Sequence, residues 1–480
     1  MGHQDLVIVS NRGPLSFVPG PDGTPVPRRG AGGLVSSLGP AVAGTGATWV
    51  AAAISDTDRL AAGAGVVEAE GFRFRSLVIE PDRYRQFYDT IANATLWFVN
   101  HSLFDLPRRP LFDRHWHEAW STYVDVNRAF AGVVAADAPD GATVLVHDYH
   151  LALVGAELAE LRPDLRTAYF HHTPFCDPSG LRVLPEKAAS QLLKGMAGAG
   201  ACGFHSPRWA AAFAACAAGV LGAAPPTFVA PAAVDAEDLI SQATSAKCEQ
   251  ELAALGQKVG DRRLIVRVDR IELSKNLLRG FLAYDGLLEA YPRWRERVVF
   301  GAFFYPSRDG LPEYLAYRAQ VENLVDRINQ RWATPSWTPI LLDVSDSFSR
   351  SLAALCRYDV LLVNPVRDGL NLVACEGPVV NRCNGVLALS REAGAWDRLG
   401  QAALPVHPFD VSATTATLVE ALSMDGDERS ARAAALRDTV ARRTPRVWLE
   451  EQLAAATSHS PENTEAAAVR AEKAAVTPAG

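Results

Sequence analysis

The chain has 480 residues, 48% apolar and 21% charged, with 36 Gly and 30 Pro. That is more chain than one hydrophobic core usually serves, and the balance is that of a globular protein of two or three domains, not a disordered or fibrous one. A formal net charge of −7 supplies no chain-wide basic field for a phosphate backbone, which argues against a nucleic-acid partner.

Seven cysteines (Cys176, Cys202, Cys216, Cys248, Cys356, Cys375 and Cys383) are scattered with no C-x-x-C pair, so neither a zinc site nor a disulfide framework is suggested and a reducing, cytoplasmic setting is expected. The apolar stretch 6–9 is too short for a signal sequence. The alanine-rich run 209–224 is too short to cross a bilayer and is closed by Pro225 and Pro226, so it reads as a buried helix and no membrane partner is expected.

Short β-branched runs alternate with longer helical patterns, the signature of α/β, doubly wound architecture. Strands are expected over 6–9, 48–52, 143–146 and 167–170, with helices after Gly33 and over 82–93, 110–135 and 151–161. A second series of strands follows over 264–268, 298–303, 339–342, 360–363 and 386–389. Between the two series, the Pro/Ala-rich segment 223–235 reads as a hinge. The expected organisation is a Rossmann-like lobe over 1–233 and a second over 234–445, facing a deep cleft. A helix over 446–457 could cross back to the first lobe, and a disordered tail is expected over 458–480. Gly198, Gly200 and Gly203 satisfy G-x-G-x-x-G, but they follow a helical pattern and lead into a strand, so they are not a dinucleotide fingerprint.

In open parallel sheets ligands bind beyond the carboxyl ends of the strands, so the polar residues after each apolar run matter most. Four such exits are unusually polar: His147-Asp148-Tyr149-His150, His171-His172-Thr173-Pro174, Asp269-Arg270, and Asn364 through Gly369. Any one of them reads as a solvated strand end; four together favour a site. Arg12-Gly13-Pro14 and the Arg28–Gly33 segment flank a loop opening a helix at Leu34, where backbone amides would favour an anion. Arg270 and Lys275 bracket another helix start, an arrangement that suits a pyrophosphate or, equally, a surface basic pair. Asp368, Gly369 and the residues after them read as N-cap, glycine approach point and first turn, with Glu376 on the second turn placed to hold a sugar or ribose diol.

With the strand exits above, Gly203-Phe204-His205-Ser206, Arg270-Ile271-Glu272-Leu273-Ser274-Lys275 and the run Arg367 to Glu376 resemble, in order and spacing, the retaining glycosyltransferases that make trehalose 6-phosphate. The resemblance covers roughly residues 6–456. It implies a GT-B type fold and transfer of glucose from a nucleotide-diphosphate glucose (GDP-glucose or UDP-glucose) to glucose 6-phosphate, with no cofactor and no metal. By matching position, Arg12 and Arg308 would clamp the acceptor phosphate, Tyr88 would hydrogen-bond it, and Trp49, Trp97 and Asp148 would shape and grip the acceptor sugar. On the donor side, the amides of Gly32 and Gly33 would face the pyrophosphate, and Arg270 and Lys275 would neutralise it. Asp368 and His172 would bind hydroxyls of the donor glucose. The backbone of Leu370, Asn371, Leu372 and Val373 would line the donor, and Glu376 would hold the ribose.

Core packing is the better reading of Trp49 taken alone, and Tyr88 and Trp97 read equally as part of a helix packed on the sheet. Asn276, Cys375 and Asn364 stand where the family commonly has glycine, lysine and threonine, which bears on donor identity. The family's base-side loop corresponds here to 342–350, ending on donor-side Arg350. Within it Asp343 or Asp346 could accept from guanine, which tips the expectation slightly towards GDP-glucose; Asp346 reads more simply as the N-cap of a helix over 347–356. The alternatives are a pseudoglycosyltransferase of the validoxylamine phosphate synthase type and a non-catalytic sugar-phosphate sensor. A homo-oligomer is expected.

Overall fold

The computed structural model describes residues 5–30, 32–308 and 310–458. They gather into two compact units, one running to Pro231 and including Pro445–Ser458, the other Ala232–Thr444.

The first unit contains β1 (Leu6–Val9), β2 (Leu15–Pro19), β3 (Pro25–Arg29), β4 (Thr48–Ala53), β5 (Val66–Ala69), β6 (Phe72–Val78), β7 (Thr143–His147), β8 (Arg166–His171), β9 (Ala201–Phe204) and β10 (Thr227–Val229). Eight of these form one sheet in the order β10-β9-β8-β7-β1-β4-β6-β5. All pairings in it are parallel except β5 with β6. Every residue of β1 and β7 is buried, as continuous apolar runs require when helices cover both faces. The second unit contains β11 (Arg263–Arg270), β12 (Val298–Tyr305), β13 (Ile340–Asp343), β14 (Val360–Val363), β15 (Val386–Ser390) and β16 (Leu404–Val406), all parallel, in the order β13-β12-β11-β14-β15-β16.

Each sheet has a point where the chain finishes one side and restarts on the other. In the first this lies between β1 and β7, in the second between β11 and β14. These are the switch points beyond which doubly wound sheets hold ligands.

Several elements differ from the sequence reading. The segment between Arg12 and Gly32 folds as the antiparallel hairpin β2–β3, with Arg28 and Arg29 on β3 and the amide of Gly30 donating to Pro14 O at 2.6 Å. The helix expected over 110–135 is Arg114–Asp137, because Asp113 caps it by accepting from the Trp116 amide at 2.9 Å. The helix expected over 82–93 is part of a longer run, with α-helix Pro81–Arg85, a π-helical Gln86–Leu96 and α-helix Trp97–His101, ended by Ser102 at φ 55°. The hinge segment includes β10, which pairs with β9. The last helix is Pro445–Ser458, so Ser458 is helical and the tail expected beyond it lies outside the described residues. Its Trp448 is fully buried, edge-on to Phe170 of β8 with ring centroids 5.4 Å apart. Among the described residues no helix is long and apolar enough to cross a membrane.

Candidate active site

In the second unit, β11 delivers Asp269 and Arg270, and a short 3-10 turn, Leu273–Lys275, carries Lys275 back beside them. After β14, the loop from Asn364 to Leu372 brings Asp368 to the same place. Lys275 Nζ lies 2.6 Å from Asp368 Oδ2 and 3.7 Å from Asp269 Oδ1. Burial pulls the Lys275 ammonium towards neutrality, but Asp368 and Asp269 outweigh it and hold its pKa above the ordinary lysine value. Burial also raises the Asp269 carboxyl, against the opposing pull of Arg267 and Lys275. Arg270 pairs with Glu272 at 3.1 Å, and Arg308 lies 3.6 Å from the same carboxylate. Ser307 Oγ donates to it at 2.8 Å. Burial alone would raise Glu272; Arg270, Arg308, Lys275 and Ser307 overcome that and hold it down at about 2. Among the described residues, four cations (Arg267, Arg270, Lys275 and Arg308) thus meet the three carboxylates Asp269, Glu272 and Asp368 at a switch point, a concentration of cations that suits an anionic group.

Asp368 is not the helix N-cap that the sequence suggested. The helix is Val373–Val380 with Leu372 at its N-cap, and Asp368 is held by Lys275 and by Asn371 Nδ2 at 3.1 Å. Asn371, at φ 77°, does the capping instead, accepting from the Ala374 amide at 3.1 Å. The turn therefore starts later, and Glu376 lies in the first turn, not the second. Burial pushes its carboxyl up to about 7. Leu370 is anchored through its carbonyl, which accepts from Ala395 at 2.8 Å. Asn276 and Asn364 are both buried and bind each other, Asn276 Nδ2 to Asn364 O at 2.9 Å and Asn364 Nδ2 to Asn276 O at 3.4 Å.

Arg350 sits on the helix Phe348–Arg357, paired with Asp343 and, at 3.2 Å, with Glu251. Asp343 also accepts from Ser345 Oγ at 2.5 Å. Asp346 does not cap this helix. The N-cap is Ser347, with no side-chain capping bond, and Asp346 is exposed.

In the first unit the β1 exit leads to Arg12 and the β7 exit to Asp148, on either side of the switch point. A chain of contacts links them. Asn11 Nδ2 donates to Tyr84 Oη at 3.1 Å, Tyr84 stacks on Tyr88 at 5.4 Å, and Tyr88 stacks on His150 at 5.5 Å. His150 Nδ1 lies 3.8 Å from Asp148. Asp148, at φ 74°, accepts from the amides of Tyr149 at 3.0 Å and His172 at 3.3 Å. His172 is the middle of a row of imidazoles, 3.0 Å from His147 and 3.3 Å from His205. Burial first, then the neighbouring imidazoles, pushes the His172 pKa well below its ordinary value, and burial takes His147 to about 3. At neutral pH His147 and His172 are therefore uncharged. Gly32, at φ 134°, precedes the helix Gly33–Val42, and both glycines are exposed, leaving the first amides of that helix open.

Trp49 is a correction. It is 0% exposed, its indole donating to Ser10 Oγ at 2.8 Å and its ring edge-on to Phe72, so no surface is left to grip a sugar. Trp97 is 2% exposed and packs against Phe98 and His101. Tyr84, His150, Arg267, Asp269 and Glu272 belong to these clusters without having been singled out from sequence. Asp269, Glu272 and His150 lay inside the polar motifs; Arg267, within an apolar strand, gave no signal. Among the described residues no group of three or more His, Cys, Asp or Glu is arranged to hold a metal ion.

A family model described as glycosyltransferase family 20 matches residues 4–458. The chain belongs to this family. Among its curated relatives, the trehalose-6-phosphate synthase of Mycolicibacterium vanbaalenii is 30% identical over 487 residues, covering 96% of this chain and 97% of that protein. This family 20 chain spans about half the length of two other relatives, 53% and 44%. An E. coli structure bound with UDP-2-fluoro glucose superposes with a TM-score of 0.82 at 28% identity, covering 94% of this chain and 98% of that one. A Burkholderia xenovorans trehalose-phosphate synthase in complex with glucose-6-phosphate gives 0.82 at 28%, covering 94% and 99%. The chain is thus a glycosyltransferase with the two Rossmann-like α/β domains of the GT-B type.

Proposed function

We propose that this glycosyltransferase makes α,α-trehalose 6-phosphate, moving glucose from a nucleotide-diphosphate glucose to the anomeric hydroxyl of glucose 6-phosphate with retention at the donor carbon. The observation that carries this reading is the cation-rich cluster at the β11–β14 switch point, with Lys275 on Asp368 and with Arg270 and Arg308 on Glu272. Breaking the bond between the sugar C1 and the diphosphate oxygen puts negative charge on the leaving group. Arg270 and Lys275 stabilise that charge with dipoles and cations fixed in advance. A new bond forms from C1 to the acceptor oxygen on the same face, and the hydroxyl proton passes to the departing phosphate oxygen. No side chain acts as covalent nucleophile, so mass spectrometry during turnover should find no glycosylated Asp or Glu.

In the second unit, Asp368 would bind donor hydroxyls and Glu376 the ribose. In the first, Arg12, Tyr88 and Asp148 would contact the acceptor and His172 the donor glucose. We assign the donor base to guanine. Of the two carboxylates in the base-side loop, Asp343 is engaged by Arg350 and Ser345, whereas Asp346, exposed and not capping its helix, is available to accept guanine N1–H and the amino group.

The test is product analysis with glucose 6-phosphate and a panel of nucleotide-diphosphate glucoses. Trehalose 6-phosphate formed fastest from GDP-glucose, with that preference lost in Asp346→Ala, is the expected result. A preference for UDP-glucose unchanged in Asp346→Ala overturns the base assignment alone. Nucleotide binding without any glucosyl transfer overturns the synthase reading.

A further inference from the structure

Arg267 lies in the middle of β11, where neighbouring residues are aliphatic, and it is 0% exposed. A charged side chain in such a place is costly unless every donor is met, and this one is met on all three nitrogens. Nε donates to Asp269 Oδ2 at 3.0 Å, one terminal nitrogen donates to Asn364 Oδ1, and the other to the backbone carbonyl of Lys275. Space for the fork is reserved by Gly280, where a Cβ would come within 2.7 Å of the guanidinium.

The three partners share one neighbour. Asp269 faces the Lys275 ammonium at 3.7 Å, and the carbonyl belongs to Lys275 itself. Asn364 is locked to Asn276, the residue after Lys275, by two hydrogen bonds, and Asn276 Nδ2 is also fixed on Pro408 O at 2.6 Å. Arg267 therefore grips the backbone of Lys275, braces the residue that follows it and orients the carboxylate facing its ammonium.

We propose that Arg267 is a positioning residue for glucosyl transfer, holding Lys275 where its ammonium meets the leaving diphosphate; this rests on the function proposed above. Arg267 itself makes no contact with the donor. Its removal leaves Lys275 present but loosely placed, and a misplacement of about 1 Å at a charge-stabilising group costs roughly 10- to 100-fold in rate. Because the charge on the leaving group builds in the transition state, the loss falls on kcat while donor KM moves little.

The experiment is a double-mutant cycle with nucleotide-diphosphate glucose and glucose 6-phosphate, measuring kcat per folded molecule in Arg267→Met, Lys275→Ala and the double variant. Arg267→Met is expected to lose roughly 10- to 100-fold in kcat, and the double variant to be no slower than Lys275→Ala. Arg267→Lys and Asn364→Ala, milder cuts into the same network, keep the test decisive if Arg267→Met does not fold. Their losses should likewise vanish in the Lys275→Ala background. Loss factors that multiply with that of Lys275→Ala, or a folded Arg267→Met with wild-type kcat, overturn the inference and leave the synthase reading standing. Wild-type turnover in Lys275→Ala overturns the inference together with the leaving-group role given to Lys275, whereas no glucosyl transfer in the wild type overturns the synthase reading.

Discussion

Arg270 is the most exposed of the cations in the β11–β14 cluster and is tethered by one buried carboxylate, Glu272, at 3.1 Å. It can turn from that carboxylate to a diphosphate without leaving a buried charge of its own. Arg270→Ala is therefore expected to lower kcat/KM by a factor on the order of 100 to 1,000 while the fold persists and the midpoint of thermal unfolding falls modestly, because the buried Glu272 loses one partner but keeps Arg308 and Ser307. Glu376 makes a pH prediction. Burial raises its carboxyl to about 7, so the ionised form that accepts two ribose hydroxyl bonds is lost as the pH falls through that value. Donor KM should rise severalfold from roughly pH 8 to 6 in the wild type and stay flat in Glu376→Gln; a flat wild-type profile would remove Glu376 from the ribose.

Among the elements, the loop from Asn364 to Leu372 depends on close backbone approach more than on side chains. Gly394 donates to Asp368 O at 3.1 Å, and a Cβ there would sit 1.9 Å from Gly369 O. No rotamer relieves a clash with backbone, so Gly394→Ala should cost about 3 kcal/mol in urea unfolding and displace Asp368. Glycines in the apparent G-x-G-x-x-G run serve helix and strand packing. A Cβ at Gly198 would lie 2.4 Å from Ala156 Cα, and one at Gly203 would meet Phe228 and Phe170. Here the sequence rejected the dinucleotide motif on its order of elements, helix before strand, and the structure gives the glycines their physical reason. The π-helical Gln86–Leu96 was not legible, because its apolar spacing is close to that of an α-helix.

For the whole molecule, the C-terminal helix Pro445–Ser458 belongs to the first unit, separated from it in sequence by the entire second unit. It is fastened by Trp448, whose ring lies 5.9 Å from His172 and 6.2 Å from both His147 and His205. Trp448→Ala should cost about 4 kcal/mol and lower the midpoint of thermal unfolding, with a smaller, cavity-limited loss in Trp448→Phe. Equal stability of the Ala variant would mean that the helix is not fastened there.

What the sequence by itself determined was what short-range patterns encode. Runs such as 6–9 and 360–363 are apolar throughout because strands covered on both faces expose nothing, and the charged residues that follow them mark where strands end. Arg270, Lys275, Asp368 and Glu376 were legible for that reason. What only the tertiary structure decided was who meets whom. Lys275 finds Asp368 across 93 residues, and Arg267 finds Asn364 across 97, because β11 lies beside β14 in the sheet. Strand order follows from how helices fill the layers, which no local period records. The same reason separates Trp49 from Arg12. Trp49 lies inside β4 and Arg12 beyond the end of β1; the side chain of the first is enclosed by the sheet's covering layer and the second is exposed, a difference set by packing from elements far along the chain.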